Sequence, residues 1–139
     1  MKNISIKTVQ RGAALVEFAI LLPVFIFLVM GIIELGWALY VQNALGDAAR
    51  LGTRLAVTDS TKTAISITSA ITTYLQNANV DPGANLTVIF SPNNFSSQGR
   101  GVLISVTISM PYSAVSILPT TLFLTKTTLS ASNTMAKEY

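Results

Sequence analysis

The chain has no cysteine and no histidine. The first absence excludes disulfides and thiolate metal sites. The second means that Cys-His dyads and Ser-His-Asp triads cannot be assembled from this chain alone. Charge is the next shortage: 11% of residues are Asp, Glu, Lys or Arg, against about 25% in an average globular domain. The deficit is concentrated. Between Arg11 and Asp47 the only charged residues are Glu17 and Glu34. A soluble domain rarely carries such a segment, so residence in a membrane is the first expectation. The nine Lys and Arg residues are scattered and form no basic face, so no nucleic-acid partner is expected. Beyond the apolar segment the acids Asp47, Asp59, Asp81 and Glu138 are dispersed. Gly99-Arg100-Gly101 lacks the downstream helix and lysine of a phosphate loop, and the many serines have only lysines as bases, in no recognisable frame. No catalytic residue, no cofactor and no metal site is expected.

What the chain does have is one long apolar run. Residues 1–12 are polar, with Lys2, Lys7 and Arg11 and no acid. The uncharged residues 18–33 follow, covering about 24 Å as a helix against a hydrocarbon layer of ~30 Å. Residues 13–16 and 35–41 extend the run to a full span. Trp37 and Tyr40 then fall at one end, where amphipathic rings favour the membrane–water interface. Three cations precede the span, whereas Asp47, Arg50 and Arg54 beyond it are mixed in sign. The positive-inside rule puts the N-terminus in the cytoplasm and residues after about Val41 on the far side of the cytoplasmic (inner) membrane. An ordinary signal peptide fits poorly, because its apolar core is about 7–15 residues and carries no acid.

Glu17 is the anomaly in this span. An aspartate at the centre of a spanning helix costs about 2.5–3.5 kcal/mol, and less near an end. Either Glu17 is solvated at the cytoplasmic interface or it has a partner. Glu34 allows two placements: facing water near Trp37, or pairing with a cation of a neighbouring subunit. Pro23 removes the hydrogen bond to the carbonyl of Ala19 and is a candidate helix kink, although membrane helices tolerate proline.

The string RGAALVEF resembles the processing site of type IV prepilins, with a basic leader, glycine before the cut and glutamate at the fifth mature position. Those roles fall on Gly12 and Glu17. The familiar pilins begin with phenylalanine, and this chain departs from them with Ala13. The longer run RGAALVEFAILLPVFIFLVMGIIELGWAL resembles the TadE-like family of the tight-adherence (Flp) pilus system, and NALGDAARLGTRLAV and TLSASNTMAKE do so more weakly. The resemblance implies cleavage between Gly12 and Ala13 by a prepilin peptidase. It also implies a minor-pilin or pseudopilin role, with other pilin subunits and the pilus assembly platform as partners. The new α-amino group would then lie one helical turn before Glu17. An ammonium and a carboxylate about 4 Å apart attract by about 4 kcal/mol at an effective dielectric near 20, which offsets much of the burial cost. Two other readings stay open: an uncut single-pass anchor whose outer domain binds a partner, and a pseudopilin of a type II-like secretion apparatus, against which Ala13 argues.

Beyond the span, Ala38, Val41, Leu45, Ala48, Gly52 and Leu55 recur at three- and four-residue steps. They form one apolar stripe on a helix expected from about Thr8 to Ala56. The stripe has two possible covers: the chain's own outer domain, or neighbouring stalks. Asn43, Asp47, Arg50 and Arg54 form the polar side, with Asp47 and Arg50 spaced to pair. Asp59 or Ser60 is expected to cap a second helix, with Ala64, Ile67, Ile71, Tyr74 and Leu75 on one face and a turn over residues 77–83. Strands are expected over residues 85–90, 102–110 and 125–136. In the middle one Ile104, Val106, Ile108 and Met110 alternate with polar neighbours, and in the last Leu129, Ala131 and Met135 point inward. Residues 112–124 have no clear pattern. Residues 91–101 read as a hairpin connection or a contact loop. The expected fold class is α+β and pilin-like: a leader over residues 1–12, a transmembrane and stalk helix over 13–57, and a small α+β extracytoplasmic domain over 58–139. In that domain a second helix accompanies a small antiparallel sheet.

Overall fold

The computed structural model describes the backbone of residues 6–117, 124 and 126–138, with side chains from residue 13 onward. One helix, α1 (Ile6–Thr58), runs for 53 residues without interruption, about 80 Å at the α-helical rise. It passes through Pro23 as a continuous helix. It is followed by a second helix, α2 (Ala64–Asn77), and by three strands: β1 (Thr87–Ser91), β2 (Leu103–Pro111) and β3 (Thr128–Ala136). The strands form one antiparallel sheet in the order β1-β2-β3. The architecture is α+β, as expected.

The outer half of α1 and the whole of α2 cover one face of the sheet. Ala38, Val41, Leu45 and Ala48 are buried, together with Ala44, Ala49, Ala56 and Val57. The apolar stripe read from the sequence is therefore covered by the chain's own domain. The opposite side of the helix stays in solvent, and there Arg50 Nη1 meets Asp47 Oδ1 at 2.7 Å as the spacing predicted. The stripe is built largely from alanine and glycine, which lets the sheet lie close to the helix axis. Gly52 is the tightest point. A Cβ there would stand 2.7 Å from Ile71 Cδ1 of α2 and 3.4 Å from Val106 Cγ1 of β2.

From the sheet, Ile104, Val106, Ile108 and Met110 of β2 are all buried. Their partners across the ladder are Met135, Asn133, Ala131 and Leu129. The alternation therefore carries Asn133 inward along with the three apolar residues expected there, and Thr53 of α1 donates to its carbonyl oxygen at 3.2 Å. On the other face the hydroxyls of Ser105 and Thr107 meet that of Ser132 at 3.2 and 3.0 Å. Hydroxyl pairs of this kind suit a wet sheet surface.

Three expectations shift. The cap of α2 is Thr63, not Asp59 or Ser60. Ser66 N donates to Thr63 Oγ1 and Thr63 N to Ser66 Oγ, which is a reciprocal capping box. Asp59 is occupied elsewhere. Its Oδ1 accepts from the Thr61 hydroxyl at 2.6 Å and the Thr61 amide at 2.9 Å, contacts that hold its carboxyl below the ordinary 3.8. β1 begins at Thr87, because the expected start lies in a 3-10 turn over Gly83–Asn85. β3 begins at Thr128, three residues later than the pattern suggested. The end of α2 lies where expected, in a Schellman motif. Asn79 adopts φ 55°, its amide donates to Gln76 O, and Val80 N donates to Leu75 O at 2.9 Å.

Gly52 gives a direct test of the close approach. Gly52→Ala gains up to about 1 kcal/mol of helix propensity, and the flexible end of Ile71 can yield to one methyl, so the net change should be near zero. Gly52→Leu has no space and should destabilise by about 1–3 kcal/mol. Thermal unfolding of the two variants in detergent measures the difference. Equal stability would show that α1 is not held this closely to α2 and β2.

Candidate functional site

The site is the inner half of α1 and the place where it meets the outer domain. From residue 13 to residue 29 every side chain of α1 is exposed, among them Leu15, Phe18, Leu21, Phe25 and Leu28. A soluble domain would bury such a surface. The helix is long and apolar enough to cross a membrane, and it fits a single-pass anchor. Ala13 and Glu17 lie one turn apart on this exposed part, and Gly12 belongs to the same helix. Gly12, Ala13 and Glu17 therefore lie together near the N-terminal end of α1. Pro23 lies between them and the outer domain.

Glu34 stands where the two halves of α1 meet, and it is not at an aqueous surface. It is 2% exposed, and neither carboxylate oxygen has a hydrogen-bond partner among the described residues. The expectation of a solvated interfacial acid is corrected. The physical reason is periodicity: Glu34 is four residues before Ala38, on the same buried stripe. The turn after β2 lies over it. Tyr112 Oη donates to the Glu34 carbonyl oxygen at 3.2 Å, and Trp37 Nε1 donates to Val115 O at 2.6 Å. Burial pushes the Tyr112 phenol up, and the neighbouring Glu34 adds to that. Trp37 stacks on Tyr40 with centroids 5.2 Å apart, and Tyr40 Oη donates to Ala78 O at the end of α2. Three aromatic side chains thus fasten the lower rim of the domain to the outer end of the span.

At the opposite end of the domain, Lys137 is 3% exposed and donates to Phe95 O at 3.0 Å and Ser96 O at 2.7 Å. Phe95 is buried and stacks on Phe90 at 4.8 Å. Part of the 91–101 loop is therefore folded inward as core. The roles of Tyr112 and Lys137 were not visible in sequence. An open groove of about 620 Å³ between α2 and β1 is lined by uncharged side chains, including Ile65, Thr68, Thr72, Gln76, Val88 and Phe90.

Comparison with known families matches residues 12–54 to the family described as TadE-like protein. This is the family the sequence resemblance named. The match covers the exposed span and the greater part of the helix that packs on the domain, and it points to a protein associated with the tight-adherence (Tad) pilus. No curated protein and no solved structure matches the chain.

Two substitutions probe the buried charges. Glu34→Gln keeps the shape and removes an unpartnered ionisable group, whose burial costs several kcal/mol when charged. It should raise the stability of the outer domain by roughly 1 kcal/mol, because the amide itself still lacks partners. A fall in Tm would mean that the carboxylate is held by a partner. Lys137→Met strips a charged donor from two carbonyls and should cost about 2 kcal/mol, with faster amide exchange at residues 94–97 than in β2.

Proposed function

From the TadE-like segment at residues 12–54, we propose that this chain is a minor pilin or pseudopilin that takes part in assembly of a tight-adherence pilus. Its role is structural and non-catalytic. The observation that carries this reading is the division of α1. The matched helix leaves its inner half exposed and apolar, while its outer half is consumed by a small domain. Such a chain has one lipid-soluble rod with which to join other helices and one aqueous domain with which to meet partners.

In this reading the chain is held in the cytoplasmic membrane with its N-terminus inside. A prepilin peptidase cuts between Gly12 and Ala13. The freed ammonium of Ala13 lies one turn before Glu17, so the lone acid of the inner span acquires an opposite charge inside its own chain or across to a neighbour. The pair lowers the cost of keeping Glu17 in lipid. It also gives the helix end a fixed polar contact for lateral docking against other pilin subunits and the assembly platform. Pro23 supplies a place where the helix can bend during that packing.

Intact mass and N-terminal sequencing of the protein from its native membrane should give a chain beginning at Ala13. A chain that retains its leader would leave the uncut anchor with a partner-binding domain. Gly12→Trp should block the cut. Glu17→Ala should be cut normally but recovered in pili at least tenfold less, since loss of about 1.4 kcal/mol from a docking equilibrium is already tenfold. Wild-type amounts of Glu17→Ala in sheared pili would remove the ion pair from the mechanism.

A further inference from the structure

The turn that follows β2 has the chemistry and the position of a membrane contact. Glu34 and Trp37 of α1 are both tied to it, through the Tyr112 hydroxyl and the Val115 carbonyl. The other low contact of the domain, Tyr40 with Ala78 at the end of α2, lies six residues further along α1, which is about 9 Å. Among the described residues, the 112–117 turn therefore stands at the end of the domain nearest the span, beside Thr127, whose carbonyl accepts from Tyr112 N at 2.8 Å. From Ala13 to Glu34 the helix covers about 31 Å, close to the ~30 Å of a hydrocarbon layer. With residue 13 at one boundary, this turn stands at the other.

Its surface fits that place. No charged residue occurs between Arg100 and Lys126. Ile117 is 58% exposed. The other large apolar residues exposed on the domain lie elsewhere: Ile65 near the start of α2 and Leu103 at the start of β2, both at the far end, and Ile89 within β1. The exposed surface of α1 at Ile33, Leu35 and Leu39 continues at the same level. Trp37 and Tyr40 supply rings with polar tips, the side-chain type that favours the interface, while Tyr112 is buried beneath the turn.

We propose that residues 112–117 are a foot that rests in the interfacial layer of the outer leaflet, with Ile117 entering the acyl boundary, and that the foot seals Glu34 from lipid. The partner is the lipid surface itself, and the contact fixes the domain at one height and one rotation about α1. This rests on the reading of α1 as a membrane span.

The absence of cysteine makes the test clean. The full chain is reconstituted in phosphatidylethanolamine–phosphatidylglycerol vesicles with one nitroxide at Ile117→Cys, Ile89→Cys or Phe25→Cys. Collision with oxygen and with a water-soluble nickel chelate then gives the depth of each. The Phe25 label should be deep and the Ile89 label aqueous. The Ile117 label should show an oxygen-to-nickel ratio at least threefold above that at Ile89. An Ile117 ratio equal to that of Ile89, with Phe25 still deep, overturns the foot and leaves the span intact. A label at Ile117 shielded from both reagents means that a protein neighbour covers it, which also overturns the proposal. An aqueous label at Phe25 removes the span and the foot together.

Discussion

A single unbroken helix has to satisfy two solvents. In hydrocarbon every backbone N–H and C=O must be paired within the segment, which a continuous α-helix does and an irregular chain does not. In water the same helix needs only one apolar face, and that face must be covered. Helix α1 meets both conditions by changing its surface partway along while its backbone continues unchanged. From residue 13 to residue 29 its side chains are exposed all round and, Glu17 aside, carry no charge. From Glu34 onward one stripe is buried and the other side carries Asn43, Asp47, Arg50 and Arg54. The domain has no independent scaffold. Its core is the space between this stripe, α2 and one face of a three-stranded sheet, and a sheet that small needs such a cover to persist. The position of the domain relative to the exposed apolar segment is thus inherited from the helix.

The small residues of the stripe follow from that dependence. A sheet packed on a bulky helix would stand further off and leave the short strands with less to bury. Ala44, Ala48, Ala49 and Gly52 let β2 and β3 come close, and Ile71 of α2 fills the notch at Gly52. The larger apolar side chains come from the sheet and α2: Ile67, Ile71, Leu75, Ile104, Ile108 and Met110, all essentially fully buried. The helix supplies the flat surface and the later chain supplies the volume.

Most of this plan was legible in the sequence because it is written in periodicity. The stripe from Ala38 to Leu55, the face of α2 at Ile67, Ile71 and Leu75, and the alternation in β2 are each long enough to fix type and orientation. The failures are local and have physical causes. Asp59 looked like a helix cap, but a nearer hydroxyl at Thr61 captured its carboxylate, and Thr63 took the cap with Ser66. By its charge Glu34 reads as a surface residue, although its place on the stripe, four residues before Ala38, points inward. Asn133 reads as a surface residue by its polar amide, although strand alternation demands that it face α1. Lys137 could not have been anticipated, because its partners are the carbonyls of Phe95 and Ser96, brought near only by the tertiary fold. The site itself was partly legible. Gly12, Ala13 and Glu17 were marked by a motif, whereas the fastening of the domain through Tyr112 and Trp37 depends on contacts about eighty residues apart.

The consumption of the outer stripe also limits how a neighbouring helix could meet α1 in the proposed assembly. A helix surface already buried against its own domain is unavailable to a neighbour. On the outer half only the side that carries Asn43, Asp47, Arg50 and Arg54 stays open, whereas on the inner half residues 13–29 are open on every side. Within that half the one ionisable side chain is Glu17, and it lies at the end away from the domain. An apolar cylinder packs against another with little preference for register, because sliding one turn exchanges one set of methyl groups for another. A single buried charge changes that, since only one register brings it to an opposite charge and every other leaves it unpaired. In the proposed assembly the inner half would supply generic adhesion between helices, and Glu17 would make one alignment better than the rest.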